Sequence, residues 1–266
     1  MTWMTGRAQV MVIRQEQVAT LENAAQQRFE EEMYSHLSGF APAHCAAIGE
    51  NTLRKLISLG AERAATYGFT SRGPVRLFLE LMIQLGTDFD SDPQLQWATQ
   101  ALQADPSGDQ MQRADELYRR ATNYLDAVVG PKFEYEIQAL RRAVKVQFKH
   151  VQVAATASPD LLAAAFYRLH PEKARYLGQA AVRFVIYRAG VLATELGFAT
   201  SPETAIVLAG LMYAFGHKCL KDPQYPWIEA GLRPEIASKG PELLFSRTIA
   251  CLQKSLATLE ARTSNA

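Results

Sequence analysis

The stretch LMIQLGTDFDSDPQLQW, from Leu81 to Trp97, occurs a second time as LMYAFGHKCLKDPQYPW, from Leu211 to Trp227. Both copies start with Leu-Met and have a Gly four residues later, Asp-Pro-Gln six residues after that Gly, and a Trp three residues further on. All of these matches keep one offset of 130 residues. Self-similarity at a fixed offset is the signature of an internal repeat. The sequence therefore predicts a tandem duplication.

The similarity extends upstream of these stretches at an offset of 129 residues, and one inserted residue accounts for the difference. The aligned positions are Phe40–Pro42 with Leu169–Pro171, Gly49 with Gly178, Arg54 with Arg183, and Gly68 with Gly197. Gly130-Pro131 is a stop signal between the copies. We expect a first helical repeat at residues 11–130 and a second at 131–266, packed together as one unit.

Apolar residues recur at helical spacing along most of the chain. Residues 16–37 show the pattern at Val18, Leu21, Ala25, Phe29, Met33 and Leu37. Similar stripes predict helices at residues 52–67, 72–87, 111–129 and 133–153. The period-two alternation of a strand is limited to a short candidate at residues 9–13. The predicted fold class is all-α, with two pseudo-symmetric helical halves.

Composition and cysteine usage are those of an ordinary intracellular globular protein. Of the 266 residues, 48% are hydrophobic and 21% are charged, and no apolar run approaches the roughly 20 residues that span a bilayer. The N-terminus does not have the pattern of a signal peptide. Met11 is an alternative start, which makes residues 1–10 an N-terminal extension. Three cysteines without a CxxC pair favour reduced thiols, so we expect a cytoplasmic protein.

Charge is distributed unevenly between the two halves. Residues 1–130 contain 11 Lys and Arg against 16 Asp and Glu, and the rest of the chain contains 17 against 11. The halves therefore carry about −5 and +6, which favours mutual attraction or different partners. No cluster of 5–8 basic residues indicates a nucleic-acid partner. The oligomeric state cannot be derived from these patterns.

Asp88, Asp90 and Asp92 have the D-x-D-x-D spacing that opens an EF-hand calcium loop. The sixth position of that loop must be Gly but is Pro, and the twelfth should be Glu but is Thr. The second copy has Lys218 in place of Asp88. We therefore expect no metal site and interpret the three carboxylates as helix caps, with an irregular divalent-cation site as the alternative.

Several residues survive in both copies and form a structural signature of the repeat. They are Asp92, Pro93 and Trp97, their counterparts Asp222, Pro223 and Trp227, and the glycine pair Gly68 and Gly197. Asp is expected to cap, Pro to occupy the first helical position, Trp to pack over a helix pair, and Gly to end a helix in the left-handed region. Retention in both copies favours a role in folding, because an active site needs to persist in only one.

Arg54 and Arg183 are also retained, among polar helix faces. We expect each to bridge to carboxylates within its own half, with an anion or partner contact as the alternative.

No catalytic motif emerges from the sequence. The five histidines form no HExxH pair, and the phosphate-binding, dinucleotide-binding and nucleophile-elbow glycine motifs are missing. We expect no cofactor and a non-enzymatic protein that binds another protein through the groove between its halves or through an exposed helix face. The alternative is an enzyme or metal-binding protein with an unfamiliar site around Asp88–Asp92 and His44 or Arg54.

The segments VIRQEQ, FEEEMYSHL, FAPAHC, YGFTS and LGTDFDSDPQLQW, within residues 11–105, resemble a family of uncharacterised all-helical bacterial proteins. Genes of that family often lie near spike or effector genes of type VI secretion systems. The resemblance implies a cytoplasmic accessory protein, such as an effector adaptor, a chaperone or an immunity protein, whose partner is a secreted effector or a spike component. It implies no catalytic residues.

Overall fold

The computed structural model describes residues 15–104, 108–198, 201–232 and 240–264, and within these ranges the chain is helical with no strand. The strand candidate at residues 9–13 and the proposed extension at residues 1–10 lie outside the described residues. In the same ranges, no helix has an apolar stretch long enough to cross a membrane.

The chain divides into two compact units between Ser58 and Leu59. The first unit contains α1 (Gln15–Phe40), α2 (Pro42–Ile48) and the start of α3 (Glu50–Thr66). Pro42 occupies the first turn of α2, where its missing N–H costs nothing. The Cys45 thiol donates a hydrogen bond to the backbone carbonyl of Leu37 in α1, which ties α2 to α1.

The second unit contains the remaining helices of the described chain. They are α4 (Arg72–Leu85), α5 (Gln96–Gln103), α6 (Gln110–Val128), α7 (Glu134–Ala143), α8 (Phe148–Ala154), α9 (Pro159–Leu169), α10 (Pro171–Glu195), α11 (Pro202–Phe215), α12 (Pro226–Gly231) and α13 (Pro241–Ser264). Both occurrences of the recurring stretch, at residues 81–97 and 211–227, lie in this unit. The predicted boundary at residue 130 falls between α6 and α7 and stays a prediction.

The helix predicted at residues 133–153 is wrong, because the chain forms two helices there, α7 and α8. Gln147 between them has an extended backbone (φ −110°, ψ 155°). Its N–H donates to the Nδ1 atom of His150, at 3.1 Å, in the first turn of α8. The β-branched residues Val144 and Val146 have low helix propensity, so a break costs little there.

Glycines at equivalent positions of the two copies adopt matching backbone conformations. Gly68 follows α3 with φ 75°, and Gly197 follows α10 with φ 85°. After each glycine, the next N–H donates to the carbonyl five residues earlier, at 3.0 and 2.7 Å. This left-handed ending satisfies carbonyl groups at the end of a helix. Gly49 and Gly178 also agree, with φ 80° and 77°.

The second half has a hydrophobic core centred on α10 and α11. Its fully buried side chains include Ala174, Val182, Ala189, Leu208, Ala209 and Leu211. The small residues on α10 let α11 approach closely. In the first half, Phe78 of α4 packs against Phe89 with ring centroids 4.9 Å apart, and both rings are buried.

Candidate functional site

Two loops, each following one copy of the Leu-Met helix, contact each other in the second unit. We call residues 86–95 and 216–225 the DPQ loops. Each begins with a glycine of positive φ, Gly86 (101°) or Gly216 (98°). A Cβ atom on Gly216 would lie 3.1 Å from the Oδ2 atom of Asp92, and a Cβ atom on Gly86 would lie 3.2 Å from the carbonyl oxygen of Phe215. The Cβ atom on Gly86 would also lie 3.5 Å from the Oδ2 atom of Asp222, so each loop passes close to the glycine of the other loop.

Asp92 and Asp222 make equivalent hydrogen bonds across the two DPQ loops. Asp92 accepts from the N–H groups of Gln94 (2.8 Å) and His217 (2.9 Å). Asp222 accepts from the N–H groups of Gln224 (2.9 Å) and Thr87 (2.8 Å), and from the Thr87 hydroxyl (2.6 Å). Each aspartate thus caps its own loop and also binds the opposite loop, so the capping role is combined with a crosslink.

The glutamine of each DPQ motif reaches the opposite helix. Gln94 Nε2 donates to the carbonyl of Met212 in α11 at 2.8 Å, and Gln224 Nε2 donates to the carbonyl of Met82 in α4 at 2.9 Å. Sequence reasoning noted the recurring Gln but assigned it no role. The recurrence of this glutamine was itself a usable signal. Buried polar side chains need hydrogen-bond partners, so a polar residue retained beside Asp-Pro in both copies indicates a specific partner.

The carboxylates of Asp88 and Asp90 each have cationic partners and do not cap the following turn. Arg63 of α3 pairs with Asp88 (Nη1–Oδ1 3.2 Å) and with the buried Asp90. Asp90 also accepts from the Tyr67 hydroxyl at 3.0 Å, and burial, reinforced by the Asp90 charge, raises the pKa of Tyr67 to about 12. Lys218, at the position equivalent to Asp88, donates to the Asp88 carboxylate at 3.0 Å.

The described part of the chain contains no group of three or more His, Cys, Asp or Glu side chains arranged to hold a metal ion.

The two retained tryptophans differ in burial and in aromatic neighbours. Trp97 is buried and packs against Tyr124 of α6 with ring centroids 5.7 Å apart. Trp227 is half-buried and meets Phe215 edge to face at 5.7 Å. Pro93 occupies the first position of a 3-10 turn capped by Asp92. Pro223 follows Asp222 in a turn, and its side chain is exposed.

Both retained arginines pair with carboxylates. In the first unit, Arg54 lies 2.8 Å from Glu50 and 3.0 Å from Glu31. In the second unit, Arg183 of α10 lies 2.6 Å from Asp160 of α9. Neither arginine lines the cavity described next.

A cavity of about 910 Å³ lies in the second unit, between residues of both predicted halves. Residues from α4, from α6 to α11, from α13 and from both DPQ loops line it. Its apolar wall includes Leu95, Val128, Leu140, Val151, Phe166, Val207, Phe215, Phe245 and Leu252. A predominantly apolar cavity of this size with a few convergent polar groups is typical of a ligand-binding site.

His170 is held rigidly in the wall of this cavity. It precedes α10, and its Nδ1 atom accepts from the N–H of Lys173 at 3.2 Å. This bond places the proton of the neutral ring on Nε2. His170 is only 6% exposed, and within the described residues its Nε2 atom has no hydrogen-bond partner. The Oε2 atom of Glu136 is nearby, at 3.6 Å from Nε2.

Lys173 also lines the cavity and is anchored to α11. Its ammonium donates to the carbonyl of Tyr213 and lies 4.9 Å from the centroid of the Tyr213 ring. The Tyr213 hydroxyl donates to the carbonyl of His170 at 3.3 Å, so the three residues support one another. Burial lowers the pKa of Lys173, and the charges of Glu136 and Asp92 partly oppose that shift.

Sequence reasoning did not identify this cluster. His170 aligns with Ala41, Lys173 with His44, and Tyr213 with Ile83. These positions differ between the copies, whereas the candidate residues of the sequence analysis are mostly ones that the copies share. The usable signal was the change from Ala41, His44 and Ile83 to His170, Lys173 and Tyr213 at the aligned positions.

Comparison with family models, with curated proteins and with solved structures finds no match to this chain.

Proposed function

We propose that the protein is a non-enzymatic binding protein and that the cavity beside His170 and Lys173 is its binding site. The single observation that carries this proposal is an apolar cavity of about 910 Å³ with an almost fully buried histidine nitrogen in its wall, unpartnered among the described residues. Leaving a buried polar group unpaired costs about 1–3 kcal/mol, and a ligand that pairs with it recovers that energy.

The way the polar residues are held supports binding rather than catalysis. His170 Nδ1 and one donor of Lys173 are engaged by the backbone, which leaves fixed groups that recognise a ligand. The thiol of Cys219 is buried, and burial raises its pKa, so it is a poor nucleophile. None of the three cysteines lines the cavity.

A second candidate function is binding of another protein, as a type VI secretion accessory (effector adaptor, chaperone or immunity protein). The specific observation in its favour is a set of exposed apolar side chains on α9 and α10. Leu161 is 62% exposed and Tyr187 is 66% exposed, with Phe184 one turn before Tyr187. Exposed aromatic residues are enriched at protein interfaces. The partner in this proposal is an effector or a spike component.

A cavity-filling substitution tests the first proposal. Gly210 of α11 lines the cavity, and a Cβ atom there would meet nothing within 4 Å. Gly190 of α10 has equally open space but does not line the cavity. We expect the Gly210→Phe variant to lose at least tenfold in affinity for a fluorescent apolar probe, and the Gly190→Phe variant to bind as the wild type does.

Equal binding by both variants, or no binding by the wild type, contradicts a ligand-binding cavity. Affinity capture from the native bacterium tests the protein partner separately. A stoichiometric protein that both variants retain supports the second candidate at another surface. Recovery of no protein argues against it.

We also propose that the two halves arose by tandem duplication and that the protein works in the cytoplasm. Three observations support the duplication. Asp92 and Asp222 form equivalent hydrogen bonds, as do Gln94 and Gln224. The aligned glycines also have matching backbone conformations. Free thiols at Cys45, Cys219 and Cys251 support a reducing compartment.

A further inference from the structure

We infer that the ligand of the cavity has an apolar body and a head group without net charge that both accepts and donates hydrogen bonds. This inference rests on the proposed ligand-binding function and adds the chemical class of the ligand.

Two donors face the cavity from the start of α10. The Nε2–H group of His170 is unpartnered among the described residues, and its ring orientation is fixed through Nδ1. The Lys173 ammonium has three protons and uses one on the Tyr213 carbonyl. The oxygen of an uncharged ligand group, such as an amide or a ketone, fits these two donors.

Two acceptors come from other elements that line the same cavity. Glu136 of α7 lies 3.6 Å from His170 Nε2, and among the described residues no hydrogen bond to its carboxylate is formed. The Oε1 atom of the buried Gln94 is also unpartnered there, because only its amide nitrogen is engaged by Met212. A ligand N–H or ammonium group fits these acceptors.

The charges of this cluster already balance one another, which disfavours a head group with net charge. Lys173 and Glu136 contribute one charge of each sign to the cavity wall. The buried Asp92 and the half-buried Arg142 also line it and add one further charge of each sign, and the Asp92 carboxylate accepts from two backbone N–H groups. A cation or an anion added to this low-dielectric site would lack a counter-charge, and burying an unpaired charge is costly.

Other charged residues line the cavity but reach solvent. Lys132, Arg168 and Asp126 are exposed, and Arg142 is half-buried and donates to the carbonyl of Leu169. Solvent screens exposed charges strongly, so Lys132, Arg168 and Asp126 contribute less to the selectivity of the head group than the half-buried Lys173, Glu136 and Arg142 do.

The test uses three ligands with one ten-carbon chain: decanamide, decanoate and decylamine. Their affinities for the full-length protein are measured at pH 7 by competition with the fluorescent apolar probe. We expect decanamide to bind at least about tenfold more tightly than either charged ligand, because a charged head group would be buried without a counter-charge.

Two variants test the roles of the paired charges. The Lys173→Met variant leaves Glu136 unbalanced, and we expect its preference to shift at least about tenfold toward decylamine. The Glu136→Gln variant leaves Lys173 unbalanced, and its preference should shift by a similar factor toward decanoate. The control is Lys149 of α8, which is exposed and does not line the cavity, so Lys149→Met should change the affinity ratios of the three ligands by less than about threefold.

The readout is a ratio of affinities within one variant, so a reduced fraction of folded protein does not affect it. If all three ligands bind with similar affinity to every variant, and Gly210→Phe still blocks them, the head-group inference is wrong and the binding cavity stands. A wild-type preference for decanoate or decylamine also overturns the inference. If neither the probe nor any of the three ligands binds the wild type, the proposed function itself fails.

Discussion

Asp222 accepts three hydrogen bonds, and two of them come from the opposite DPQ loop. It is buried and accepts from both the N–H and the hydroxyl of Thr87 and from the N–H of Gln224. Replacement by Ala leaves three buried donors without an acceptor. We expect Asp222→Ala to lower the free energy of unfolding by about 2–5 kcal/mol, measured by urea denaturation.

Lys218 provides the matched control in the same loop. Its side chain is 52% exposed and its partner is Asp88. Exposed ion pairs contribute about 0–1 kcal/mol, so Lys218→Ala should cost less than about 1 kcal/mol. Equal losses in the Asp222 and Lys218 variants would show that the crosslink does not stabilise the fold.

The lowered pKa of Asp92 makes the free energy of unfolding depend on pH in the acidic range. Burial acts to raise the pKa of its carboxyl, but the adjacent His217 and the N–H groups of Gln94 and His217 outweigh burial, so the pKa is lowered. A carboxyl with a lowered folded pKa stabilises the fold above its unfolded pKa, near 4, and this contribution disappears as the pH falls through the folded value.

The measurement is the unfolding free energy of the wild type and of Asp92→Asn between pH 2 and pH 7. The Asn variant should be less stable at pH 7, and the difference should shrink below about pH 4, because Asn does not titrate. A difference that stays constant across this range would mean that Asp92 has an ordinary pKa in the folded protein.

At the scale of the helix, α10 contains two glycines with opposite requirements. Gly178 interrupts the helix with φ 77° and ψ 165°, a region that is essentially open to glycine alone. Gly190 lies within the helical run with open space around its Cβ position. We expect Gly178→Ala to lower the melting temperature, at a cost of about 1–3 kcal/mol, and Gly190→Ala to raise stability by up to about 1 kcal/mol.

No steric clash complicates this pair, since a Cβ atom at Gly178 also meets nothing within 4 Å. The difference between the two variants therefore reports backbone conformation alone. If Gly178→Ala proves neutral, the break in α10 is not required by the fold.

The first DPQ loop contains Asp88, Asp90 and Asp92, and we expect divalent cations to have little effect on its stability. Asp88 pairs with Arg63 and Lys218. Asp90 pairs with Arg63 and accepts from the Tyr67 hydroxyl. Asp92 accepts from backbone N–H groups. A cation would have to displace these partners. We expect millimolar calcium or magnesium to leave the melting temperature unchanged, whereas a site at 100 times its dissociation constant would add about 2.7 kcal/mol. A rise of several degrees that disappears in an Asp88→Asn, Asp90→Asn double variant would establish a metal site.

At the scale of the whole molecule, buried bonds between the DPQ loops join residues on both sides of residue 130. Four buried side chains form hydrogen bonds with a partner on the other side of residue 130, namely Asp92, Gln94, Asp222 and Gln224. We expect fragments 1–130 and 131–266 to lack cooperative unfolding when expressed separately and to recover it when mixed. Circular dichroism during heating measures both states. A cooperative transition in either fragment alone would contradict this dependence.

The helices were largely predictable, because their formation depends on local patterns. Apolar spacing, Pro42 at the start of α2, and Gly68 at the end of α3 located elements to within a few residues. The break before α8 was not predicted. The apolar pattern continues across it, and the break depends on the extended conformation of Gln147.

The sequence by itself determined an all-α chain and two related loops with Asp-Pro-Gln at their centre. Only the tertiary structure decided that these loops bind each other and that His170, Lys173, Glu136 and Gln94 line one cavity. The physical reason is the distance along the chain over which each kind of interaction acts. Helix periodicity and capping act over a few residues and leave a pattern in the sequence. The cavity polar groups come from helices and a loop up to about 80 residues apart, and their proximity depends on packing that no short pattern encodes.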